Sequence, residues 1–131
     1  MGGRAASNGG QVGRGDFDED TAADHLSVLT GRLVDEVAEA MAGDPVGLEP
    51  DEYDGVAVPC NLELLHLLGT RGYVGVTLPS GDTVREWKKR YLAVWDEAID
   101  GLAPTPDFRA RRRETLVRTF DQLAALADSR A

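Results

Sequence analysis

The sequence has one cysteine and two histidines. A lone cysteine excludes an intrachain disulfide. The opening residues, Met1 to Ser7, carry no apolar stretch of secretory type, so a reducing cytoplasm is the expected compartment. Ala6 stands where a myristoylation signal requires Ser or Thr. Long hydrophobic runs are missing too. The longest apolar stretch, Val56 to Leu68, is broken by Asn61, Glu63 and His66 and is too short and too polar to span a bilayer.

Positive charge is scarce in the first half. Residues 1–70 hold 3 Arg against 14 Asp and Glu, whereas residues 71–131 hold 11 Lys and Arg against 9 Asp and Glu, for a net charge of -9. Such a surface repels nucleic-acid phosphates and anionic lipid, which disfavours both as partners. A basic protein partner fits better, as does complementarity between the two halves, and a homo-oligomer is compatible with the pattern. At 131 residues the chain suits one domain able to bury a core without disulfides.

Residues 1–12 offer almost nothing to bury and read as a mobile, glycine-rich tail, which leaves residues 13–131 as a single helical domain. Arg14-Gly15-Asp16 spells an adhesion tripeptide that arises readily by chance. Gly13 and Gly15 make no nucleotide fingerprint, because no strand precedes them and the third glycine is missing. Next come Phe17, an aromatic anchor, and an acidic helix start. Asp20 or Thr21 is expected to cap the first amides, and Asp24 stands where the reciprocal carboxylate of a capping box would.

Gly10, Gly13, Gly15, Phe17, Asp20, Ala22 and Asp24 follow the opening frame of a bacterial family, the domain of unknown function 4259 (DUF4259), which this stretch resembles. Val12 stands where that frame has tryptophan. The resemblance implies a small, mostly helical bacterial protein and carries no activity with it.

Ala22, Leu26, Leu29, Leu33, Val37 and Met41 recur at helical spacing, with Asp35, Glu36 and Glu39 opposite, so an amphipathic helix is expected to end near Gly43. Residues 44–48 read as a turn-rich linker. A second helix is expected from about Pro50 to Leu68, with Pro59 pressing on the carbonyl of Gly55 and Asn61 satisfying freed backbone nearby. Being apolar nearly all round, this helix should be the most enclosed in the domain. Residues 71–79 read as an ordered loop over the bundle. Ser80 should cap a third helix, in which Trp87, ahead of Trp95, belongs to the core. Thr105, Pro106 and Asp107 open the last helix, whose buried face is expected to include Phe108, Leu116, Phe120 and Leu123. The fold class is therefore all-α, a small irregular antiparallel four-helix bundle.

The chemistry-bearing residues are few. Glu63 and His66, three apart on one helix face, form half of a di-iron carboxylate motif, but no second copy exists, and a hydrogen-bonded pair in the bundle is the favoured reading. Cys60 reads as a small buried hydrophobe. As a nucleophile it would need His66, which lies about 120° around the helix. His25 beside Asp24 reads as a solvated residue of a first helical turn. Asp18, Glu19, Asp20 and Asp24 lack calcium-loop spacing, so neither a metal nor a cofactor is expected. Arg109, Arg111, Arg112 and Arg113 are expected to be solvated or paired with the acidic first half.

Two functions follow. The first is a non-catalytic interaction or immunity-like accessory module presenting Phe17, Asp18, Asp20 and Asp24 to a basic partner. The alternative is a small enzyme or metal- or ligand-binding protein using Glu63 and His66 inside the bundle, supported by Cys60 or His25.

Overall fold

Side-chain caps set the starts of two of the four long helices among the described residues. In the computed structural model, which describes residues 16 and 19–131, the helices are α1 Asp20–Ala42, α2 Tyr53–Thr70, α3 Gly81–Ala98 and α4 Pro106–Ser129. Single 3₁₀ turns at Pro45–Leu48 and Ile99–Leu102 complete the order. The expectations for the tail, for Phe17 and for Asp18 concern residues outside the described range.

The Ser80 hydroxyl accepts from the Thr83 amide at 3.1 Å and starts α3, and Thr105 does the same for Phe108 at 3.1 Å ahead of Pro106. The start of α1 differs from expectation. Glu19 is its N-cap residue, without a side-chain cap bond, because Asp20 and Thr21 already lie inside the helix. α2 begins later than expected, at Tyr53. Pro50 instead belongs to a turn closed by the Glu52 amide on the Glu49 carbonyl, after Leu48 has turned fully into the core.

Consecutive helices run antiparallel. Asn61 of α2 donates to the Leu33 carbonyl and to Glu36 Oε1 of α1, at 3.2 and 3.1 Å. This corrects its expected role beside Pro59. On α3 and α4, Asp96 meets Arg113, Lys88 meets Asp121 and Arg85 meets Asp128, an antiparallel register. α2 packs on α1 and α4 and lies diagonal to α3. The α2–α4 pair is parallel, with Cys60 level with Arg112 and Gly69 level with Leu126.

The long loop between Thr70 and Gly81 makes the diagonal crossing possible. Its Thr77 amide donates to the buried Thr30 hydroxyl at 2.8 Å, and the Thr30 hydroxyl donates to the Leu26 carbonyl at 2.7 Å. Gly75, with φ of 96°, passes so close to the Ala23 carbonyl that a side chain would collide with it.

The core lies between the four helices, where Val37, Leu62, Leu65, Tyr91, Trp95, Phe120 and Leu123 are almost wholly buried. Both tryptophans belong to it, and Trp95 is the deeper. Phe108, expected on the buried face of α4, is exposed. It sits in the helix's first turn, and α4 is drawn into the core only further along, from Leu116.

Candidate functional site

α2 is apolar on all sides, so its sequence gives no direction for packing. The structure covers only part of it. Val58, Asn61, Leu62, Leu65 and Gly69 are buried, while Tyr53, Val56, Cys60, Glu63, Leu64 and Leu67 are exposed. The expectation of an enclosed helix is corrected: α1 and α4 flank it, and the outward arc is exposed among the described residues.

That arc holds most of the predicted chemistry. Cys60 is exposed and not a buried hydrophobe, Glu63 is exposed and not inside the bundle, and His66 is half-buried. No hydrogen bond joins Glu63 to His66 among the described residues, and His25 and Asp24 are exposed on α1. Nor does any group of three or more His, Cys, Asp or Glu side chains among the described residues form a metal-binding cluster. The enclosed polar pocket that an enzyme reading required is therefore not what these residues build.

Two grooves flank the exposed arc. One, about 350 Å³, lies between α2 and α4 and is lined by Val56, Pro59, Cys60, Glu63 and Leu64 on one side and Arg112, Thr115 and Thr119 on the other. The arginine cluster divides here. Arg109 pairs with Asp100 at 3.0 Å, Arg111 with Asp107 at 2.6 Å and Arg113 with Asp96 at 2.8 Å. These partners lie on α4 itself, on α3 or in the turn that follows α3, not in the first half, because α3 is the antiparallel neighbour. Asp96 receives two hydrogen bonds from the Arg113 guanidinium, which hold its carboxyl below the usual range. Arg112 makes no ion pair among the described residues and faces the groove.

The other groove, about 500 Å³, lies where the end of α1 meets the start of α2. Glu36, Glu39, Asp44, Asp54 and Tyr53 line it, and Tyr53 is 80% exposed. Between Arg32 and Arg71 the chain has nine Asp and Glu and no Lys or Arg. All seven ion pairs among the described residues fall between residues 82 and 128, so none of these nine carboxylates has a cationic partner. Asp20 and Asp24 are exposed at the other end of α1. The α1–α2 corner is thus an acidic surface among the described residues, which the sequence analysis did not single out within the acidic first half. The run without Lys or Arg was the signal available for it.

No described helix is long and apolar enough to cross a membrane. Comparison with protein-family models, with curated proteins and with solved structures finds no match for this chain.

Proposed function

We propose that the chain is a non-catalytic interaction module, of accessory or immunity-like type, that holds a positively charged protein partner. Its setting in this reading is the bacterial cytoplasm, and the glycine–Phe17 frame makes it a DUF4259-like protein. One observation carries the proposal: the carboxylates between Arg32 and Arg71 are exposed or half-buried and have no cationic partner among the described residues, while those of α3 and α4 are largely paired. Unscreened carboxylates on one surface raise the local concentration of cations and speed encounter with a basic protein. Asp18, Asp20 and Asp24 extend the same sign of charge toward the N-terminus.

The test is affinity capture with two baits in parallel, the wild type and a Glu39→Lys/Asp54→Lys variant. A basic protein held by the first and lost from the second supports the proposal. Equal retention by both overturns the acidic corner as the binding surface. A third bait with Asp18 and Asp20 reversed measures what the N-terminal acids contribute.

A further inference from the structure

Tyr53, Val56, Cys60, Leu64 and Leu67 follow one another at steps of three and four residues, which places them on a single face of α2. Val56, Leu64 and Leu67 are 55, 46 and 52% exposed. Scattered exposed apolar residues are ordinary, but a continuous stripe along one helix is the pattern by which grooves receive amphipathic helices.

The charges around the stripe specify the occupant. Glu36, Glu39 and Asp54 border it toward α1, and Glu63 stands on its α4 side. Across the groove stands Arg112, which makes no ion pair among the described residues. A second copy of this chain would bring the same excess of negative charge, -9 overall, against these acids.

From this arrangement we infer that the outer face of α2 is the docking surface for an amphipathic, positively charged helix of a partner protein. The inference rests on the interaction reading above and adds the mode of binding. The partner's apolar side chains lie along Val56, Leu64 and Leu67. Its Lys and Arg face the α1 acids, and a carboxylate or a helix-end carbonyl meets Arg112.

The probe is a synthetic 18-residue amphipathic peptide of Leu and Lys, with a scrambled peptide of the same composition as control, titrated by fluorescence anisotropy. Leu64→Asp is the decisive variant, because it removes an apolar contact while adding negative charge. Its side chain is exposed, so the fold should survive, and circular dichroism checks that. Docking predicts that the wild type prefers the amphipathic peptide to the scrambled one and that Leu64→Asp weakens it about tenfold. Unchanged or tighter binding by Leu64→Asp, equal binding of both peptides, or no binding by the wild type overturns the docking surface.

The same variant serves as a bait beside Glu39→Lys/Asp54→Lys. A natural partner kept by Leu64→Asp but lost by charge reversal overturns the stripe and leaves the interaction reading standing. A partner indifferent to charge reversal removes that reading itself. Sedimentation that shows a wild-type dimer dissolved by Leu64→Asp assigns the stripe to self-association and also overturns the proposal.

Discussion

The hydroxyl of Tyr91 on α3 donates a hydrogen bond to the backbone carbonyl of Gly55 on α2. Gly55 lies four residues before Pro59, which has no amide N–H to offer that carbonyl. A proline inside a helix would otherwise strand a buried acceptor. Here the diagonal helix supplies the donor, and Tyr91 is 1% exposed. The same backbone is crowded on its other side, where a side chain at Gly55 would overlap the Glu49 carbonyl. Gly55, Pro59 and Tyr91 therefore fix how the start of α2 sits against α3 and the 3₁₀ turn before it.

Removing the donor should be expensive. Tyr91→Phe keeps the ring, which packs against Phe120 at a centroid distance of 5.4 Å, and loses only the hydroxyl. It leaves a buried carbonyl unsatisfied, so a loss of about 1–3 kcal/mol is expected in urea unfolding. In a Pro59→Ala background the restored amide can serve Gly55, and the same substitution should there be markedly less damaging. A double-mutant cycle measures that coupling, and additive losses would show that Pro59 and Tyr91 act independently.

Alkaline titration reads the burial of the same hydroxyl. Burial pushes the Tyr91 hydroxyl from 10.0 up to about 12, against a smaller opposing effect of Arg112. The folded chain holds this proton more tightly than the unfolded one. Its contribution is therefore complete below pH 10 and is lost as the pH rises through 10 toward 12. Wild type should lose stability relative to Tyr91→Phe over that window, and urea midpoints taken at intervals across it give the comparison.

Thr30 joins α1 to the crossing loop. Its hydroxyl is the acceptor for the Thr77 amide at 2.8 Å, so Thr30→Val preserves shape and removes that partner. About 1–3 kcal/mol of destabilisation is expected. Amide exchange should quicken at Thr77 and its neighbours in residues 71–80, while α4 stays protected. Uniform quickening across all helices would instead mean that the loop is not a separate unit.

Local chemistry was legible at the starts of α3 and α4, but not at those of α1 and α2, where neither the Asp20 or Thr21 cap nor the Pro50 start is found. Ser80 and Thr105 cap α3 and α4 as their spacing predicts, because a cap bond reaches only three residues along the chain. The amphipathic pattern of α1 placed Leu26, Val37 and Met41 in the interior, whereas Leu29 of the same stripe is exposed. α2 was not legible in this way. With Val56, Leu64 and Leu67 as apolar as Val58, Leu62 and Leu65, nothing local tells which face is covered, and the exposure of Cys60 and Glu63 followed from the positions of α1 and α4. Asn61 was close enough in sequence to suggest a role at Pro59, yet the donor for Gly55 comes from Tyr91, 36 residues away. Arg109, Arg111 and Arg113 of α4 pair with Asp100, Asp107 and Asp96 because those acids are neighbours in the fold or along the helix.

The concentration of ion pairs in α3 and α4 has a counterpart in α1 and α2, whose carboxylates meet no cation among the described residues and so repel one another. A cationic helix docked there, as proposed above, would relieve the repulsion and so act as a ligand of the folded state. On that docking, the protein would reach its greatest stability only in company, and its melting temperature would gauge how much of its partner is present.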